Sequence, residues 1–276
     1  MTSGLLTRPV SAGPETLDEY RAGGGWKGLA KAVSTLTPDD VVRLVTETGL
    51  RGRGGAAFPT GRKWALAAAQ QATPKYVVAN GGEHEPGSLK DRLLLTLHPH
   101  KVLEGLAICA YATGASVGYL YLIEDMVEAM AGAKRAEAEA RDAGLLRDLE
   151  IRFAAAPATY VAGEETAALE VIEGRRAWPR KKPPYPGESG LFGKPTTINN
   201  IETLACVPPI FAAGPAGAPV GAPVTMLFTL PDRVKTPGVH EMRFGATFHD
   251  LIYGRGGGPV SGKRIRGILP ALSSSF

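Results

Sequence analysis

Residues 49–64, Gly49 to Trp64, read GLRGRGGAAFPTGRKW and bring five glycines, four basic residues and a Phe-Pro step into one short stretch. No stable core needs that composition. Gly52, Gly54 and Gly55 let a backbone approach a ligand where a side chain would block it. Arg51, Arg53, Arg62 and Lys63 supply the charge that a phosphate attracts. The stretch reads either as an anion cradle or as a glycine-rich surface loop with solvated arginines.

The spacing Gly52-x-Gly54-x-x-Ala57 formally matches the dinucleotide fingerprint, which requires a strand before it and a helix opening from its glycines. Neither flank supplies that context. Upstream, Thr37-Pro38-Asp39-Asp40 is an N-cap, an N1 proline and an acidic first turn; Val41, Val42, Leu44 and Val45 follow at helical spacing, and Gly49 is the stop. Downstream, Pro59 breaks any helix that starts at Gly55. The pattern predicts a loop over 49–61 between two helices, the second running through Trp64 to Gln71.

The chain has 276 residues, of which 44% are hydrophobic, enough for one large core or two domains. No apolar run reaches the length of a membrane span, and the first twenty residues lack the charged start and apolar centre of a signal peptide. A cytoplasmic protein with no direct membrane insertion is expected. Two cysteines, Cys109 and Cys206, lie far apart in apolar segments. They leave no thiolate-rich metal or cluster site within this chain and read as buried free thiols.

The net charge of +4 is modest, but Arg175, Arg176, Arg180, Lys181 and Lys182 form a basic run interleaved with Trp178 and Tyr185. Such a run suits a nucleic acid, a nucleotide-sized anion or plain solvent. Prolines at 179, 183, 184 and 186 favour a stiff extended loop.

Beyond the first loop, 75–79 reads as a short buried strand running into Asn80-Gly-Gly-Glu-His-Glu-Pro-Gly87. Loops at the carboxyl ends of strands are where open α/β sheets bind ligands, and this one offers Asn80, Glu83, His84 and Glu85. Helices are expected over 88–97 and 101–113, a strand over 117–123, an amphipathic helix over 126–143 and a strand over 149–154. His98 and His100 flank Pro99 and read as the start of a helix rather than as metal ligands. The β-α-β-α-β order calls for a parallel sheet with helices on its faces, a Rossmann-like α/β fold. Glu164 and Glu165 open a further helix, where they favour its dipole or face a ligand. Asn199 and Asn200 begin another at 198, as caps or as partners for a heterocycle's edge. A Gly/Pro/Ala linker over 212–223 marks a boundary. Beyond it, strands at 225–230 and 239–243, a helix at 247–253 and a strand at 264–269 make a smaller β-grasp-like domain.

Taken together, GLRGRGGAAFPTGRKW, EPGSLKDR, YVAGEETAALEVIEGRR, KKPPYP and GLFGKPTTINNIETL resemble the F-type flavoprotein subunit of the NADH dehydrogenase module of respiratory complex I. The likeness runs from about Thr37 to the C-terminus. It implies 1–36 as an N-terminal extension, 37–213 as the FMN- and NADH-binding domain, and 222–276 as a soluble-ligand-binding β-grasp domain. It also implies non-covalent FMN that accepts a hydride from NADH, with electrons leaving to an iron–sulfur cluster. Carried over residue by residue, Gly52, Arg53, Gly54, Gly55 and Lys63 meet the phosphate and ribityl part of FMN together with Asn199, Asn200 and Thr203. Asn80 and Glu83 lie by the flavin ring, and Tyr160, Gly163 and Glu164 border the same cavity. For NADH, Phe58 is the stacking platform, and Glu85, Glu165, Lys182 and Tyr185 line the nucleotide. No side chain is expected to be a general acid or base.

Four departures from the family pattern bear on turnover. Gly82 stands where the family has an aspartate, Ala57 where glycine is usual, and Leu66 in place of a second aromatic that sandwiches adenine. The cysteine-bearing C-terminal helical domain is missing, so the resemblance implies no iron–sulfur cluster in this chain and a separate iron–sulfur partner. The alternative is a paralogue that binds a flavin or another anion without oxidising NADH.

Overall fold

The computed structural model describes residues 4–212, 224–260, 262 and 264–270. Its centre is a four-stranded parallel sheet of β1 (Tyr76–Gly81), β2 (Val117–Ile123), β3 (Glu150–Ala156) and β4 (Thr196–Asn200), in the order β3-β2-β1-β4. Tyr76 sits opposite Val117 on one side and Thr196 on the other, and Val117 opposite Glu150. Tyr76 to Ala79 are buried throughout, which is why this strand reads as an unbroken apolar run rather than an alternating one.

Ten helices surround the sheet among the described residues. In chain order they are α1 (Leu17–Ala22), α2 (Lys27–Thr35), α3 (Pro38–Glu47), α4 (Thr60–Ala68), α5 (Lys90–Leu97), α6 (Pro99–Thr113), α7 (Val127–Asp142), α8 (Glu165–Ile172), α9 (Ile201–Ala205) and α10 (Pro208–Ala212). Every residue of α6 except Tyr111 is buried, the apolar ones in the core and His100, Lys101 and Glu104 against polar partners. Burying Leu103, Leu106 and Ile108 completely contributes about 1.5–3 kcal/mol each. α3 starts as its sequence predicts: the Thr37 hydroxyl accepts from Asp40 N–H at 3.2 Å, and Asp40 returns the bond to Thr37 N–H at 3.2 Å.

Residues 4–36 pack on this core. Leu5, Tyr20, Trp26, Leu29 and Ala32 join the main hydrophobic cluster. Glu104 of α6, 1% exposed, accepts from Tyr20 Oη at 2.5 Å and from the N–H groups of Trp26 and Leu29 at 2.9 Å each. A carboxylate on α6 thus satisfies donors at the start of α2, where Trp26 takes a left-handed φ of 62° and offers no side-chain cap.

A hairpin of β5 (Thr225–Leu230) and β6 (Gly238–Arg243) forms a second, two-stranded sheet, followed by one π-helical turn, Asp250–Arg255. Leu230, Val234, Met242, Leu251 and Ile252 make its small core. The linker expected over 212–223 lies outside the described residues apart from Ala212, which ends α10.

Three expectations change. β1 runs on to Gly81, so Asn80 sits on the strand rather than in the loop. Residues 198–200 finish β4, and the helix begins only at Ile201. The β-branched Thr196, Thr197 and Ile198 pair with β1, and Asn200 is the N-cap that terminates the strand. Residues 264–269 make no strand. Their alternating pattern has no bare core to cover, because Leu251 and Ile252 already close the small cluster.

Candidate functional site

The glycine-rich loop closes on itself at the start of α4. Gly52 N–H donates to Phe58 O at 2.9 Å, Thr60 N–H to Leu50 O at 2.9 Å, and Arg51 bridges Pro59. Helix α3 leads in and no strand precedes the glycines, so this is not a dinucleotide turn. Residues 54–58 are exposed and only Arg53 is buried between Arg51 and Phe58. Its N–H donates to Thr203 Oγ1 at 2.8 Å, which ties the loop to α9.

A Cβ built on Gly52 would come no nearer than 3.5 Å to Phe58 O, an ordinary contact, and its φ needs no glycine. Folding alone therefore leaves Gly52 unexplained, whereas a group laid against the loop backbone explains it. Ala57, by contrast, has a φ of 49° and Gly55 one of 112°.

Lys63, on the first turn of α4, reaches across to the β4–α8 side. Its ammonium donates to Ile198 O at 3.0 Å and to Glu165 Oε2 at 3.1 Å. Lys182 Nζ bonds the other Glu165 oxygen at 2.8 Å and Glu164 Oε1 at 3.0 Å. Burial pushes the Glu165 carboxyl up, but Lys63 and Lys182 more than offset it and hold it below the usual carboxylate range. Lys182 is likewise held above its ordinary value: burial acts against its charge, and bonds to Glu165 and Glu164 prevail. Lys63, Glu164, Glu165 and Lys182 thus form one row of alternating charge.

The loop after β1 closes from the other side. Asn80 Nδ2 donates to Gly163 O at 3.1 Å and its Oδ1 accepts from Gly82 N–H at 3.0 Å. Tyr121 Oη donates to Ala162 O at 3.0 Å, so the turn Tyr160–Gly163 is pinned to the ends of β1 and β2. Gly163 must be glycine, since a Cβ there would lie 2.7 Å from Gly82 O. His84 Cδ2 lies against the same residue, and the neighbouring Nε2 is buried without a hydrogen-bond partner among the described residues. Burial lowers the His84 pKa below the ordinary imidazole value, against a smaller opposing pull from Asp125. At the rim, Tyr160 Oη donates to Glu85 Oε2 at 2.7 Å. Phe58 and Tyr185 are about half exposed, and Leu66 packs against Gly187, two residues beyond Tyr185.

Several side chains of the expected set are occupied by helix caps. Glu83 accepts from Ser88 Oγ at 2.5 Å and from the N–H groups of Asp91 and Arg92 at 3.1 and 3.0 Å, capping α5. Glu164 caps α8 through Thr166 and Ala167 N–H. Asn200 caps α9 through Glu202 N–H at 3.0 Å and donates to Asp91 Oδ2 at 2.5 Å. Asn199 is buried, accepting from Trp64 Nε1 at 3.3 Å and facing Cys109 Sγ at 3.5 Å. The backbone N–H groups of Glu83 and Glu164 are taken as well, by Gly81 O at 2.8 Å and Val161 O at 3.1 Å.

Sequence reasoning missed the charges beneath the loop. Lys90 Nζ sits 2.8 Å from Asp91 Oδ1, 3.1 Å from Glu202 Oε2 and 3.2 Å from Asn200 Oδ1. Burial works against its charge, but Asp91 and Glu202 hold its pKa above the ordinary lysine value. The only sequence signal was the Lys-Asp pair opening α5, inside the EPGSLKDR motif. The basic run also changes character. Arg175 and Arg180 both pair with Glu170 and Glu173, so together with Lys182 three of its five cations are locally neutralised. A cleft of about 750 Å³ beside the end of β3, lined by Glu124, Val161, Val171, Arg176 and Trp178 among others, contains no residue of the expected set. Among the described residues no helix is long and apolar enough to cross a membrane.

The chain is 42% identical over 266 residues to the F 2 subunit of NADH-quinone oxidoreductase from Rhizobium meliloti (strain 1021), covering 92% of this chain and 63% of that protein. Against the F subunit of NADH-quinone oxidoreductase from Escherichia coli (strain K12) the identity is 41%, covering 93% and 61%. The HndC subunit of NADP-reducing hydrogenase from Solidesulfovibrio fructosivorans is 39% identical, covering 92% and 54%. The chain thus spans about three fifths of the length of the curated relatives it matches. Among solved structures, NAD+-reducing [NiFe]-hydrogenase in the air-oxidized state superposes with a TM-score of 0.72 at 32% identity, over 92% of this chain and 42% of that one. The H2-reduced state gives a TM-score of 0.70 at 34% identity, over 80% and 39%. The Nuo51 FMN-binding domain matches residues 45–209, a segment that holds the glycine-rich loop, the Lys63–Glu165–Lys182 row and the β4–α9 junction, and the chain belongs to that family.

Proposed function

We propose that this chain is an FMN-binding module that oxidises NADH and passes the electrons to a separate iron–sulfur partner. Support comes from relatives that are named as subunits of NADH-quinone oxidoreductase and of a hydrogenase. The observation that carries the reading is the loop at Gly52, where the protein's own packing asks for no glycine but a backbone-bound phosphate does. When bound, FMN supplies the acceptor for a hydride. The chain's residues do the holding. The Gly54 and Gly55 N–H groups and the Lys63 ammonium take the phosphate end, Thr203 keeps Arg53 in place, and Asn80 fixes the strand end beside the ring. Phe58 and Tyr185 present apolar faces to the nucleotide of NADH, with Glu85, Glu165 and Lys182 between them. We place the smaller unit, 222–276, as β-grasp-like, and the protein on the cytoplasmic side beside its partner.

The test is to purify the chain, record its flavin absorption with and without added FMN, and add NADH without oxygen. Flavin that is taken up and then bleaches supports the reading. A colourless chain that takes up no FMN overturns it.

A binding-only paralogue is favoured by one observation. A Cβ at Gly82 would lie 3.1 Å from Asn80 Oδ1 and 3.2 Å from Tyr121 Cε1, so this chain has packed closely around the glycine that replaces the family's aspartate. Bound flavin that NADH does not bleach would establish that second reading.

A further inference from the structure

The β5–β6 hairpin and the residue after it touch the candidate cradle and its support at three points, two of them adjacent to residues assigned to FMN. Arg53, between Gly52 and Gly54, places its guanidinium carbon 4.6 Å from the ring centre of Phe244, the residue that follows β6. Glu202, between Asn200 and Thr203, accepts from Leu227 N–H of β5 at 3.0 Å. Leu89, which precedes the Lys90–Asp91 pair that holds Asn200, donates its N–H to Thr229 Oγ1 of β5 at 3.0 Å. The hairpin is itself fastened elsewhere: Glu241 of β6 accepts from Leu5 and Leu6 N–H at 2.9 and 3.1 Å, and from Thr225 Oγ1 at 2.6 Å.

We propose that the hairpin is a strut that sets the shape of the cofactor loop, with Arg53 and Phe244 as its positioning pair. The inference rests on the FMN reading above. A loop whose tip is exposed has little packing to hold its backbone N–H groups in one arrangement. Arg53, 6% exposed, is the one side chain of the 51–58 stretch driven inward, and a cation over an aromatic face strengthens as water is excluded. Its backbone N–H is held by Thr203 at the same time. Main chain and side chain of a single residue are therefore fixed from two directions, which preorganises the glycines on either side.

The experiment titrates FMN into the full chain by quenching of flavin fluorescence and follows amide exchange over 51–59, for wild type, Phe244→Leu, Phe244→Tyr, Arg53→Met and the Arg53→Met/Phe244→Leu double variant. Phe244→Leu should weaken FMN about three- to tenfold and speed exchange in the loop while β1 and β2 amides stay as protected as in wild type. Phe244→Tyr, which keeps the aromatic face, should bind within about twofold of wild type. The double variant should be no weaker than the worse single one. Wild-type affinity in Phe244→Leu, loss of protection spread evenly over β1 and β2, or additive losses in the double variant would each overturn the strut. Should the wild type take up no FMN, the functional reading fails on its own, and unchanged loop exchange in Phe244→Leu would still refute the strut.

Discussion

Replacing Ala57 by glycine tests the reading of the cradle at its most strained point. Ala57 holds a φ of 49° within an exposed loop, and the left-handed region costs an L-residue with a Cβ about 1–2 kcal/mol. Glycine removes that strain but gives back about 0.5–1 kcal/mol through the greater freedom of the unfolded chain. The net expectation is a gain of about 0–1.5 kcal/mol, or a rise in Tm of up to about 6 °C for a chain of this size. Ala57→Val, with a branched Cβ in the same conformation, should instead lose about 1 kcal/mol or more. Asparagine, which tolerates the left-handed region, should fall near alanine or slightly above it. Thermal unfolding of the four chains, followed by circular dichroism, decides the order. If Ala57→Gly destabilises by more than about 1 kcal/mol, or valine matches alanine, the backbone at 57 is not left-handed and the strain assigned to this loop does not exist.

Three further outcomes follow from the charges and thiols. Glu202→Ala should cost about 3–5 kcal/mol, because it leaves Lys90 short of a buried partner and Leu227 N–H without an acceptor; denaturant unfolding with a loss below about 1 kcal/mol would contradict the burial of that pair. Glu164, Glu165, Glu170 and Glu173 all have lowered pKa values, Glu170 down to about 2. Their stabilisation is therefore full above the unfolded carboxylate range near 4.5 and is lost as pH falls towards each folded value. Urea midpoints should drop between pH 5 and pH 2, and Glu170→Gln should show a lower midpoint at pH 6 with a shallower acid dependence; parallel curves would refute the assignment. Burial pushes the Cys206 thiol up to about 12 and Cys109 higher still, so a thiol reagent at pH 8 should label neither until the chain unfolds. Labelling in the folded protein would show that α9 is not where the structure puts it.

Much of the fold was legible because its signals are local. Val77 and Val78 with their apolar neighbours announced β1, and the Thr37-Pro38-Asp39-Asp40 cap fixed the start of α3. What misled was a residue serving two elements. Asn200 ends a strand and caps a helix, and in the sequence only the cap is visible, so the strand before it disappeared. The same limit applies to the site. Glu83 reads as a carboxylate free for a ligand until Ser88 and the first turn of α5 arrive beneath it and take its bonds. Burial of Glu202 and Lys90 depends on α5, α9 and β5 packing together from distant parts of the sequence, and no spacing rule records that. The alternation over 264–269 failed for the opposite reason, a local pattern with no tertiary surface to receive it.

The carboxylate of Glu104 carries a practical consequence for anyone trimming this protein. A chain cut to the segment that matches the FMN-binding family, 45–209, would keep α6 and lose every donor that Tyr20, Trp26 and Leu29 provide. It would also uncover the faces of α6 that Leu5, Leu29 and Ala32 now cover. A bare anion left in such a setting costs several kcal/mol, a large part of what a whole domain has to spare. The segment that matches the FMN-binding domain and the foldable unit are different lengths of polypeptide, and an expression boundary drawn at the first would fall inside the second.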